Sequence, residues 1–192
     1  MYEFKEYSKI SVHNHFGDSE SERKIDDPFD KKISFNYIEA IAKIKEAHDE
    51  NFNLLAFTNA NVLLVPQYLA LKKYAQILNI NLIPGTEINI FNNKTNKILH
   101  LIVLFNPNSN LINIANKLED SITENCQNYI TIDQLVNIIL CEKVILIPHG
   151  IKQTRYERGA ADNPEQFKEI IAMRDAIPII IEDNRTYHKE TL

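Results

Sequence analysis

The stretch Asn81–Phe105, NLIPGTEINIFNNKTNKILHLIVLF, decides how the rest of the chain is read. Asn81 to Ile90 is apolar at most positions and β-rich, which predicts a strand. Asn92-Asn93-Lys94-Thr95-Asn96 is a turn by composition, and Ile98 to Phe105 returns as a second strand. Two groups in it stand out. Glu87 follows Pro84-Gly85-Thr86 inside an apolar frame, where a buried carboxylate needs a cation. His100 sits at the start of the second apolar run.

Working outward, other histidines occupy similar places. His13-Asn14-His15 closes the short run Ile10-Ser11-Val12, and His149 closes Val144-Ile145-Leu146-Ile147-Pro148. Alternate residues of a strand face one way, so His13 and His15 suit chelation together. Where parallel strands gather in a barrel, their C-terminal ends converge on one face, which is where active sites sit. His13, His15, Glu87, His100 and His149 could therefore meet, and imidazoles with a carboxylate suit Zn, Mn or Fe.

The remaining elements alternate. Ser34 is expected to cap a helix running to about Glu50, with Ile38, Ile41, Ile44 and Ala47 at helical spacing. Asn53 to Phe57 is a strand and Pro66 to Leu78 a helix, Pro66 lying in its first turn. Leu111 to Leu118 has helical spacing, and Thr131 caps a helix to about Leu140. Lys143 to Pro148 is a strand, Pro164 to about Arg174 a helix, and Ile177 to Glu182 a last strand. Gly17 to Lys32 and Ile151 to Asp162 are loops. This order predicts an α/β architecture with parallel strands. His48, near the end of the first helix, is read as structural.

The 192 residues fit one domain spanning 1–192, with 44% hydrophobic and 24% charged residues. A net charge of −5 argues against a broad basic nucleic-acid face. It does not exclude a nucleic-acid substrate, because bound cations reverse the local charge. Cys126 and Cys141 form no metal or redox motif. No apolar run reaches the roughly 20 residues of a membrane span. Met1 to Ile10 has no signal-peptide core, so a cytoplasmic protein with no membrane partner is expected.

Four motifs in order carry a family resemblance: Val12-His13-Asn14-His15, Ile83-Pro84-Gly85-Thr86-Glu87, His100-Leu101-Ile102-Val103 and Ile147-Pro148-His149-Gly150. Together they resemble the PHP (polymerase and histidinol phosphatase) superfamily over about Lys9 to Asn184. The resemblance implies a distorted (β/α)7 barrel, incomplete at the C-terminus in this chain, which could be the N-terminal part of a longer protein. It implies two divalent metal ions (Mn, Zn or Fe). His13, His15 and Glu87 would hold one, and Glu87 would bridge to a second completed by His100 and His149. The family pattern also departs here. Ser11 replaces an Asp, Thr58-Asn59-Ala60 replaces Thr-Asp-His, and no closing Asp-x-His follows Glu182. The missing histidine usually serves a third metal; Asp18, Glu20 or Glu22 could supply a substitute ligand.

The chemistry implied is hydrolysis of a phosphate ester by water that the ions activate. His13, His15, Glu87 and His149 would be the catalytic set. Lys152, Arg155 and Arg158, close after His149, are candidates for binding the phosphate, since guanidinium groups recognise it bidentately. The expected substrate is a phosphodiester of nucleic acid or a nucleotide, in a nuclease-like reaction such as bacterial defence systems use. There PHP domains occur fused to or encoded beside ATPases, so an ATPase domain or partner protein is an expected partner. Three alternatives stay open: a small-molecule phosphomonoesterase of the histidinol phosphatase type, a degenerate non-catalytic module within a larger assembly, and an amidohydrolase-like enzyme.

Overall fold

The computed structural model describes residues 9–15, 35–92, 97–124, 128–140 and 142–148. Its elements in chain order are β1 (Lys9–Ser11), α1 (Tyr37–Asp49), β2 (Phe52–Phe57), α2 (Val65–Ile77), β3 (Asn81–Asn92), β4 (Lys97–Phe105), α3 (Leu111–Glu124), β5 (Ile130–Thr131), α4 (Ile132–Ile139) and β6 (Val144–Pro148). The strands make one six-stranded sheet in the order β1-β2-β3-β4-β6, with β5 pairing on β3.

The helix ends follow from local chemistry. α1 is capped by Asn36, whose side chain accepts from the Ile38 and Glu39 N–H groups, and not by Ser34 as the sequence suggested. α4 carries the expected Thr131 cap, completed into a capping box by Gln134. α2 ends in a Schellman arrangement. Asn79 takes φ 58°, its N–H donates to the Gln76 carbonyl, and the Ile80 N–H reaches the Ala75 carbonyl. The His48 ring donates from Nδ1 to the Leu78 carbonyl at 2.9 Å, tying the C-terminus of α1 to that of α2.

The four helices share one core. Ala40, Ile44 and Ala47 of α1, Val65, Tyr68, Leu71 and Ala75 of α2, Leu111, Ile114, Leu118 and Ile122 of α3, and Leu135, Ile138 and Ile139 of α4 are all buried in a single cluster. That cluster also takes Leu82, Ile88 and Ile90 of β3 and Leu99, Leu101, Val103 and Phe105 of β4. The opposite sheet face carries a smaller cluster, Ala56, Ile102, Leu104 and Ile147 with Val12 and Ile83 against it, and no described helix contributes to it. Glu87 pairs in register with Ile102, so it faces this second side.

The expected (β/α)7 barrel is not what forms. The described residues make a mixed sheet curled into a half-barrel with four helices. The reason lies in the stretch Asn81–Phe105. Parallel neighbours need a crossover of about a dozen residues or more, whereas β3 and β4 are joined by Asn93 to Asn96 alone. Such a short link permits only a hairpin, and β4 runs antiparallel to both β3 and β6. β1, β2 and β3 are parallel, as expected of strands joined through helices. The predicted helix from Pro164 and the strand Ile177 to Glu182 lie outside the described residues.

Gly85 explains part of the Pro-Gly signal. A Cβ there would come within 2.8 Å of Leu104 Cδ2, 2.9 Å of the Val103 carbonyl and 3.0 Å of the Phe57 carbonyl. Two of these three are backbone atoms of flanking strands, which have little room to move.

Candidate metal centre

The site is built by three segments. β1 ends at Ser11 and the chain continues extended as Val12-His13-Asn14-His15, running beside the end of β2. The ladder is prolonged there by the Thr58 N–H, which donates to the Asn14 carbonyl at 2.9 Å. Asn14 turns its side chain away from the two histidines, donating to the carbonyls of Ala56 and Ser11 at 3.2 Å each. His13 and His15 are then left on the same side, their ring centroids 5.0 Å apart.

β3 supplies Glu87. Its carboxylate sits in mid-strand, since β3 runs from Asn81 to Asn92. β4 supplies His100. Because β4 is antiparallel, the start of this strand lies beside the latter half of β3, and His100 pairs with Asn89. The histidine therefore reaches the site from the beginning of its strand.

Four side chains converge. His13 Nε2 lies 2.9 Å from His15 Nε2. Glu87 Oε2 lies 3.5 Å from His13 Nε2 and 3.0 Å from His15 Nε2, while Oε1 accepts from His100 Nδ1 at 2.9 Å. Glu87 is 6% exposed, whereas the three imidazoles keep 21–24% of their side-chain surface open. The carboxylate is the floor of the site and the rings form its mouth. Burial alone would push the Glu87 carboxyl up. The hydrogen bonds from His100, His13 and His15 outweigh it and hold the group well below the usual carboxylate range.

His13, His15 and Glu87 fit a cation. Bonds of about 2.1 Å from a metal to nitrogen and oxygen place donors about 3.0 Å apart at right angles and about 3.4 Å apart at tetrahedral angles. The three separations, 2.9, 3.0 and 3.5 Å, lie within about 0.1 Å of that range. Protons alone serve the trio poorly: a nitrogen that carries a proton toward Oε2 has no lone pair left for the other imidazole. A shared cation accepts all three lone pairs at once. These residues form a possible metal group among the described residues.

Of the residues singled out from the sequence, His13, His15, Glu87 and His100 come together. His149, Lys152, Arg155 and Arg158 lie outside the described residues, as do Asp18, Glu20 and Glu22. Ala60, which the sequence comparison set against a histidine of the resembled motif, pairs with Glu87 through an isolated parallel bridge and brings no ligand atom. Asn14 was passed over in the sequence. Its only signal there was a polar residue between two candidate ligands. Thr58 registered merely as the surviving member of a degraded motif.

No protein-family profile matches this chain, and none of the curated proteins does. Among solved structures it is similar to a "putative metal-dependent phosphoesterase" from Bifidobacterium adolescentis, at 9% identity and a TM-score of 0.48, over 74% of this chain and 70% of that one. The chemistry of the site therefore stands on this chain's own residues. No helix among the described residues is long and apolar enough to cross a membrane.

Proposed function

We propose that this chain is a metal-dependent phosphoesterase acting on phosphodiesters of nucleic acid or nucleotides. The observation that carries the reading is the convergence of His13 Nε2, His15 Nε2 and Glu87 Oε2 on one point at 2.9–3.5 Å separations. The order of PHP-like motifs along the sequence supports the reaction class. His13, His15 and Glu87 would hold a divalent ion, which would supply activated water and Lewis-acid catalysis.

The chain's own residues have separable tasks. Glu87 brings the negative charge, and its burial keeps that charge directed at the centre. His13 and His15 donate neutral lone pairs from the open side, where a substrate can approach. His100 fixes the second carboxylate oxygen and, with His149, is the candidate set for a second ion. Lys152, Arg155 and Arg158 are the candidate phosphate-binding groups.

Ala60 favours one other reading, a PHP-like module that has lost catalysis and acts as an interaction domain. Elemental analysis of wild type, His13→Ala and Glu87→Gln, paired with hydrolysis of bis-p-nitrophenyl phosphate and p-nitrophenyl phosphate under Mn²⁺, Zn²⁺ and Fe²⁺, separates them. Bound metal and diester cleavage in wild type, both lost in the variants, support the proposal. Cleavage of the monoester alone moves the substrate class to small phosphomonoesters. Metal without hydrolysis of either, or no metal at all, favours the non-catalytic module.

A further inference from the structure

The segment Thr58-Asn59-Ala60-Asn61 offers no imidazole and no carboxylate, yet it grips the backbone beside three of the candidate ligands. On one side is Thr58, fully buried. Its Oγ1 accepts from the Asn14 N–H at 2.8 Å and lies 3.1 Å from the Asn14 carbonyl, to which it donates; the Thr58 N–H donates to the same carbonyl. Asn14 is the one residue between His13 and His15. On the other side, the Glu87 N–H lies 3.3 Å from both the Thr58 and Asn59 carbonyls, and the Asn61 N–H donates to the Glu87 carbonyl at 2.6 Å. Asn61 takes φ 53°, and its side chain accepts from the Asn89 N–H and donates to the Asn128 carbonyl, both at 2.9 Å.

A single short segment thus holds the chain after β1 and the middle of β3, which share no sequence neighbourhood. Metal donors need placing to about 0.5 Å, and a pair of histidines flanking one residue moves with that residue's backbone. We infer that Thr58 is a positioning residue for the metal centre: its hydroxyl, by occupying both polar groups of the Asn14 backbone, sets the spacing of the His13 and His15 nitrogens against Glu87. Valine at 58 has the same shape and leaves the backbone bond in place. It removes only the hydroxyl, which strands the Asn14 N–H and lets the pair pivot.

The inference rests on the metal assignment proposed above. Titration with Co²⁺, read by its visible absorption band, tests both separately. Wild type should bind, Thr58→Val should bind about 10–100-fold more weakly with an altered band, and Thr58→Ser should regain wild-type affinity and band. Thr58→Val with wild-type affinity and spectrum overturns the positioning role and leaves the metal assignment standing. Failure of wild type to bind Co²⁺ at this site removes both. Should Thr58→Val not fold, Thr58→Ala removes the same hydroxyl without the valine branch and is compared with Thr58→Ser: weaker binding than in Thr58→Ser supports the role, and equal binding overturns it.

Discussion

His100 and Glu87 meet diagonally across a hairpin. Nδ1 lies 2.9 Å from Oε1, although the register partner of His100 is Asn89 and that of Glu87 is Ile102. Diagonal neighbours on one face of an antiparallel pair stand about 7–8 Å apart at the backbone, within reach of an imidazole and a carboxylate. The contact fixes one carboxylate oxygen and leaves the other turned to His13 and His15.

Replacing His100 by Leu should therefore weaken metal binding without removing a member of the His13, His15 and Glu87 trio. The expected loss in affinity is about 10–100-fold. With metal chelated, the lost hydrogen bond to a buried charge should cost about 1.5–3 kcal/mol of folding stability. Isothermal titration and urea unfolding read the two effects. Unchanged values for both would mean that the contact does not orient Glu87.

The depressed ionisation of Glu87 has a defined consequence for acid stability. The folded chain holds this carboxyl below its ordinary range, so the unfolded chain binds more protons there as acid is added. The contribution is complete above the ordinary carboxylate value, about pH 4, and is lost as pH falls toward the lower folded value. The stability gap between wild type and Glu87→Gln, measured under chelation, should narrow from pH 6 to pH 3. A gap that widens over that interval contradicts the assignment.

Saturating divalent metal should stabilise the fold through mass action. At about 100 times its dissociation constant an ion adds about 2.7 kcal/mol, or about 5–10 °C in melting temperature for a chain of this size. Thermal scans of wild type with Mn²⁺ or Zn²⁺ should show that rise, and His15→Ala should not. An equal rise in both would place the binding elsewhere.

Gly85→Ala should destabilise by about 1–3 kcal/mol, because the added Cβ meets the Val103 and Phe57 carbonyls at 2.9–3.0 Å. The signature is a lower urea midpoint at unchanged slope. An unaltered midpoint would show that β2 and β4 can separate freely at this point.

The sequence pointed to the residues of the candidate site better than to the architecture that gathers them. His13, His15 and Glu87 were legible because alternation and an apolar frame are local signals. His100 was legible as a histidine, but the strand direction that delivers it was missed, although the turn Asn92 to Asn96 was seen. The alternation of strands and helices elsewhere outweighed the steric limit that so short a link imposes. β5, at two residues, is too short to leave a periodicity. The cap at Asn36 competed with an equally good capping residue at Ser34. Thr58 and Asn14 act through hydrogen bonds between residues 44 apart, and no spacing rule reports such a partnership.

The two halves of the metal centre also differ in how far the chain must travel to build them. Glu87 and His100 are 13 residues apart and belong to one hairpin, which can close quickly and by itself. His13 and His15 join only when β1 docks on β2 across the 44-position separation of Asn14 and Thr58, a costlier loop closure. On this topology half of the candidate ligand set would be available early in folding and half only near the end. Metal capture should trail hairpin formation and coincide with the last refolding phase, so that in stopped-flow refolding a Co²⁺ band rising ahead of that phase would reverse the order. On this topology an ion would not nucleate the fold; its arrival would mark the moment when the first strand has found its place.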